Sequence, residues 1–240
     1  MPGFIKEVLE NFNIEIDRKE FPWTLPCFKG FHSLELDPKV TFFIGENGSG
    51  KSTLLEAIAI NYGLPPEGGT KWHSFKTYDT HSPLMDQILL NKGIAPADSM
   101  FLRAETFYNM ATYLVEHNSP RFIDLHSKSR GESFLETASA LITPGLFIFD
   151  EPESALSING LLRFLVEMQR LVEEGSQLII ATHSPILLGF GQGKILEFST
   201  DGIHEVKYKE TKQYQLTLDF LRNRERYVRS LGLTPDQDEE

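Results

Sequence analysis

Residues 45–53 read GENGSGKST, and they decide how the rest of the chain is read. Gly45, Gly50, Lys51 and Ser52 fit the spacing G-x-x-x-x-G-K-[ST]. A glycine-rich turn with a chance lysine would also fit, so context has to decide. Before the loop, Lys39-Val-Thr-Phe-Phe-Ile44 is a β-branched and aromatic run of strand length. After it, Ser52–Ile60 reads as a helix. Strand, glycine loop and helix together form a phosphate cradle. Glycines let backbone N–H groups converge, and the helix N-terminus adds partial positive charge. The cradle would be built from Gly45, Asn47, Gly48, Ser49, Gly50, Lys51, Ser52 and Thr53. Lys51 would reach the β- and γ-phosphates of a nucleotide, and Ser52 would ligate Mg²⁺.

Two further strands end in chemistry. Leu146-Phe-Ile-Phe-Asp150-Glu151 delivers two carboxylates at the end of an apolar run. In a parallel sheet, ligands sit at the carboxyl ends of strands. Asp150 there can hold the water shell of Mg²⁺, and Glu151 can act as general base toward the attacking water. Gln177-Leu-Ile-Ile-Ala-Thr-His183 repeats the pattern with a histidine. Between them, Ser157–Glu174 carries Leu161, Leu162, Leu165, Met168 and Val172 at helical spacing, and Gly175 stops it. One crossover helix therefore joins two strands that can be parallel neighbours.

Together these residues resemble the ATP-binding cassette ATPase superfamily. Ser129-Arg-Gly-Glu-Ser133 resembles the cassette signature, usually LSGGQ, with the helix Ser133–Ile142 after it. Pro152–Ser157 resembles the D-loop, and His183 falls on the switch-histidine position. The forms SRGES, FDEPESALS and ATHSP are similar to those of small stand-alone ATPases of the SMC and DNA-repair branch. The resemblance implies an α/β P-loop NTPase fold. It would have a mostly parallel core sheet, N-terminal antiparallel strands and a short helical lid, all in one domain over 1–240. It implies catalytic roles for Glu151 and His183, Mg²⁺ on Ser52 and Asp150, and ATP as substrate. It also implies a head-to-tail homodimer in which Ser129 and Gly131 touch the nucleotide of the partner. Departures are Arg130 where glycine is usual and Ser157 where aspartate is common. The Q-loop position has no clear glutamine; Glu105 is one candidate, while Gln87 sits in a segment read as insertion. The adenine-stacking aromatic stays open among Phe21, Trp23, Phe28 and Phe31.

The remaining organisation follows from pattern. Phe4–Leu9 and Leu34–Leu36 read as antiparallel strands, and Lys194–Phe198 with Ile203–Tyr208 as a hairpin. Residues 62–135 read as an insertion and lid, loop-rich to Ser99, with Met100–Arg103 as a strand and Glu105–Asn118 as a helix. Tyr214–Leu231 reads as one final helix with Arg222, Arg226 and Arg229 on one face. That face is either solvated or a contact for phosphate backbone or an acidic partner. His73 and His81 lack ligand spacing, so no zinc site is assigned. The 240 residues carry 23 basic and 34 acidic side chains, a net of -11, which argues against a nucleic-acid coat but not against a local groove. A lone cysteine, Cys27, excludes an internal disulfide and fits the cytoplasm. With no long apolar run, direct membrane insertion is not expected. The expected output is a switch on DNA or a protein partner. The alternative is the ATPase subunit of a membrane transporter.

Overall fold

The computed structural model describes residues 3–70, 82–107 and 129–233. Its centre is a seven-stranded sheet built on five parallel strands. These are β3 (Val40–Gly45), β6 (Asp98–Arg103), β7 (Gly145–Asp150), β8 (Gln177–Ala181) and β9 (Lys194–Ser199). With the antiparallel edges β4 (Gly69–Thr70) and β10 (Gly202–Val206), the order is β10-β9-β3-β8-β7-β6-β4. The near-continuous apolar runs of β3, β7 and β8 are explained by burial on both faces.

Alternation along each strand sorts side chains to two cores. Phe42, Ile44, Phe147, Phe149, Leu178 and Ile180 pack under helices α3 (Arg130–Ser139) and α4 (Ile158–Glu173). Phe43, Leu146, Ile148, Ile179 and Ala181 face the other way, toward α1 (Lys51–Tyr62) and a second, three-stranded sheet. In that sheet β1 (Ile5–Glu10) lies between β2 (Ser33–Glu35) and β5 (Ile88–Lys92), all antiparallel. The side chain of Gln177, at the start of β8, ties the sheets together. Its Oε1 accepts from Ile5 N at 2.9 Å, and its Nε2 donates to Ile5 O at 2.8 Å and Asp37 O at 2.9 Å.

The β1–β2 pair, the α4 crossover and the β9–β10 hairpin stand where the sequence put them. Three expectations change. The stretch read as loop-rich contributes β4, the short α2 (Leu84–Gln87) and β5. The helix at the signature starts earlier than Ser133, because Ser129 caps it. The single C-terminal helix is two, α6 (Lys212–Arg222) and α7 (Arg224–Ser230), after the short α5 (Pro185–Leu188). The break is at Asn223, whose φ of -129° and ψ of 37° are not helical. Its amide donates to Asp219 Oδ1 at 2.7 Å, and Tyr227 Oη donates to Asp219 Oδ2 at 2.6 Å. Arg226 pairs with the same Asp219, and Arg229 pairs with Glu225 at 3.2 Å. The arginine stripe is thus broken in the backbone and largely engaged within its own helices. The expected helix Glu105–Asn118 lies outside the described residues beyond Phe107, as do His73 and His81. Among the described residues no helix is long and apolar enough to cross a membrane.

Candidate functional site

The glycine loop leaves the carboxyl end of β3 and turns into α1. Gly50 caps that helix at φ 100° and ψ 3°, a left-handed conformation that side chains with a Cβ resist. Gly45 has φ 146°, and a Cβ there would lie 2.5 Å from Phe198 O. Both positions therefore require glycine for space as well as conformation. Lys51 is buried, and its Nζ donates to Gly45 O and Glu46 O at 3.0 Å each. Burial pushes its ammonium down from the ordinary lysine value, opposed by Glu151, Asp150, Glu153 and Glu46.

Strand β7 runs beside β6 in parallel, with Arg103 opposite Asp150. Ser52 Oγ donates to Asp150 Oδ1 at 3.0 Å, which joins the start of α1 to the end of β7. Arg103 Nε stands 3.4 Å from Asp150 Oδ2, and its Nη1 donates to Glu56 Oε2 at 2.7 Å. Burial raises the Asp150 carboxyl to about 6, against the pull of Arg103 and the Ser52 hydroxyl. A hydroxyl and a carboxylate that already meet are the donor set a hard divalent cation prefers. The residues present therefore fit Mg²⁺.

Glu151 is, among the described residues, the non-glycine residue with positive φ, at 49°. That conformation costs about 1–3 kcal/mol and is characteristic of functional turns. The next turn, Pro152–Ala155, is 3₁₀ and buries Pro152, so Glu151 is left partly exposed at the cavity. His183 Nε2 is 3.7 Å from Glu151 Oε1, buried and without a hydrogen-bond partner.

Two cavities meet here. One of about 380 Å³ is lined by Asn47, Gly48, Gly50, Lys51, Ser52 and Thr53, with Phe21, Leu25, Glu105 and Glu151. A smaller one of about 60 Å³ has Ser52, Arg103, Ala104, Glu105, Asp150 and Glu151 around it. The structure thus brings together most of the expected cradle, both expected metal ligands and Glu151. Gly45 and Ser49 instead line a neighbouring cavity with Cys27 and Phe198. Of the aromatic candidates, Trp23, Phe28 and Phe31 pack on one another with centroids 5.7–6.1 Å apart. Phe21 remains 54% exposed and faces the larger cavity. Gln87 accepts from Trp23 Nε1 at 2.7 Å, a contact far from a Q-loop role, whereas Glu105 lines both cavities.

The signature residues are not among those lining either cavity. Ser129 and Glu132 form a capping box, with Ser129 N donating to Glu132 Oε2 at 3.0 Å. A Cβ on Gly131 would sit 3.0 Å from Ala155 O, so glycine lets α3 rest on the 152–155 turn. Arg130 reaches back to donate to Ala104 O, beside Glu105. Arg103 and Glu153 are site residues the sequence reading passed over. For Arg103 a signal existed, a charge closing an apolar strand next to the acidic one.

With this geometry in place, comparison with known proteins places the chain. The family model described as AAA domain (AAA_23) matches residues 25–239. The chain belongs to this AAA domain family and to the ATP-binding cassette ATPase superfamily. It is 29% identical over 192 residues to the glutamine transport ATP-binding protein GlnQ of Bacillus subtilis, covering 66% of this chain and 78% of that protein. It is 31% identical over 129 residues to the zinc import ATP-binding protein ZnuC of Wigglesworthia glossinidia brevipalpis, covering 51% of this chain and 54% of that one. Among solved structures, the SMC head domain from Thermotoga maritima aligns at 16% identity and a TM-score of 0.47, over 86% of this chain and 99% of that one.

Proposed function

We propose that this chain binds and hydrolyses ATP as a head-to-tail homodimer, and that the cycle operates a switch on DNA or on a protein partner in the cytoplasm. The observation that carries the reading is the Ser52–Asp150 hydrogen bond with Glu151 and His183 beside it. It joins the end of the glycine loop to the end of the acidic strand, where a phosphate and its metal would sit. Mg²⁺, bound by Ser52 and Asp150, would neutralise charge developing on the phosphates. Lys51 and the N-terminus of α1 would hold the β- and γ-phosphates. Glu151 would take the proton of the attacking water, and His183 would hold that water or the γ-phosphate in place. Phe21 would stack on the base. Glu105 would occupy the Q-loop position. Ser129 and Gly131 stand outside the two cavities around Lys51 and Asp150, which supports a role on the nucleotide of a second copy. Loss of the γ-phosphate would remove the contacts that favour the closed dimer.

The forms SRGES and FDEPESALS support the switch reading. The relatives named for glutamine transport and zinc import support a second one, an ATPase subunit for a transmembrane partner. The test is the ATPase rate of purified protein with and without double-stranded DNA at low and moderate salt. Lys51→Ala is the control and should abolish turnover; a Lys51→Ala protein that still hydrolyses ATP refutes the glycine-loop assignment. Salt-sensitive stimulation supports a DNA-acting switch. A basal rate without stimulation favours a protein partner, and a rate that rises only with a membrane-embedded partner favours transport.

A further inference from the structure

The carboxylate of Glu153 has no part in the chemistry proposed above, yet it is built into the site. It sits in the 3₁₀ turn Pro152–Ala155, directly after Glu151 and the buried Pro152. Its Oε2 accepts from Thr182 Oγ1 at 2.8 Å, and its Oε1 accepts from His183 N at 2.5 Å. Thr182 is fully buried, and its Oγ1 in turn accepts from Ser184 N at 3.0 Å. One backbone bond runs beside these, from Glu151 N to Ala181 O at 2.9 Å. The turn that presents Glu151 is thus stapled to the segment that presents His183 by one backbone bond and one bidentate carboxylate.

A third carboxylate beside Asp150 and Glu151 is electrostatically unfavourable. A neutral side chain would hold a turn without that repulsion. What a carboxylate does better is accept two bonds at once, each strengthened by its charge. Here the two donors are the Thr182 hydroxyl and the backbone N–H of His183. The imidazole gains by it, because its Nε2 has no hydrogen-bond partner and stands 3.7 Å from Glu151 Oε1. Catalytic groups have to be held within about 0.5 Å of working geometry by such supporting contacts.

We propose that Glu153 is the positioning residue for His183, fastening it to the 152–155 turn so that a shift of that turn moves the imidazole relative to Glu151. The inference rests on the ATP-hydrolysis reading, since a placed His183 matters only if it meets the reacting phosphate. It also gives that turn a route to the site: a second copy pressing on residues 152–157 would set the position of His183 through Glu153.

The test is a double-mutant cycle with Glu153→Ala, Glu153→Gln and His183→Ala, scored on kcat and KM for ATP. Glu153→Gln keeps one acceptor and the side-chain volume, so it serves if the alanine variant folds poorly. Glu153→Ala should lower kcat about 10-fold, with KM within about twofold, and Glu153→Gln should recover part of the loss. In the His183→Ala background neither substitution should cost more than about twofold, because the residue it positions is gone. A loss that persists in full without His183, or one that falls on KM, overturns the proposal. The wild-type rate tests hydrolysis separately. If the wild type does not turn over, ring spectra of ¹⁵N-histidine-labelled protein decide, with His183 assigned by its disappearance in His183→Ala. A displaced His183 resonance in Glu153→Gln supports positioning, and an unmoved one overturns it.

Discussion

Gly50→Ala tests whether the glycine loop is held from behind as the structure has it. The position is left-handed, at φ 100°, which costs an alanine about 1–2 kcal/mol. The added Cβ would lie 2.8 Å from Cys27 Sγ and 3.2 Å from Leu25 Cδ1. Overpacking of that kind costs about 1–3 kcal/mol. The sum is about 2–5 kcal/mol, a large share of the ~5–15 kcal/mol that holds a domain together. Urea unfolding can be followed by tryptophan fluorescence in a Trp72→Phe background, which leaves Trp23, buried against Phe28 and Phe31 beside Cys27. The two contributions separate in a second variant. Cys27→Ala removes the clashing sulfur but not the backbone strain. Gly50→Ala in that background should therefore cost at least ~1 kcal/mol less than in the wild type, beyond the ~0.3–0.5 kcal/mol scatter of independent sites. A wild-type midpoint for Gly50→Ala, or costs that simply add, would refute the contact between the loop and the Cys27 segment.

Glu151→Gln should bind ATP, fail to hydrolyse it and accumulate as a dimer; a light-scattering mass that stays monomeric with ATP counts against the sandwich. His183→Ala should slow turnover at least ~10-fold, the scale of losing one polar transition-state contact, and a wild-type rate would reduce it to a structural residue. Burial pushes the Cys27 thiol up to about 12, so at pH 8 it stays protonated and enclosed. Alkylation of the native protein at pH 8 should run at least ~100-fold slower than in guanidinium, since only the thiolate reacts; comparable rates would mean the segment is open.

Much of this was legible because apolar strands here end in chemistry. Ile44 leads into the glycine loop, Phe149 into Asp150, and Ala181 into Thr182 and His183. Such runs announce both the buried parallel sheet and the end at which its ligands sit. What was not legible depends on partners distant in the chain. The run Ile88-Leu-Leu-Asn-Lys92 is too short and too polar to declare itself, and it is a strand because β1 offers it an edge. The break at Asn223 has no glycine or proline to mark it; competing hydrogen bonds around Asp219 accompany it. In sequence, Glu153 is one more acid in an acidic turn. Only the fold shows which N–H it meets. The aromatic choice was open for the same reason. Three of the four candidates pack on one another, and that leaves Phe21 at the cavity.

Two charges of the site are held by protein partners they can exchange. Lys51 leans on two loop carbonyls, and Asp150 on a hydroxyl and a guanidinium. These partners do not fully offset burial: the lysine is pushed toward its neutral form, and so is the aspartate. Both shifts have the same remedy. An anion facing Lys51 and a cation facing Asp150 would each favour the charged form that burial disfavours. A phosphate with its metal supplies both at once, so the two groups gain most from a ligand carrying the pair together. Glu151 is arranged differently. Its left-handed backbone places it at the cavity, and the neighbouring Pro152 is buried beneath it. The proposed binding groups are poised to change partners, while the proposed base is fixed by the backbone. That division is what a site needs if the same residues are to release product and keep their geometry for the next turnover.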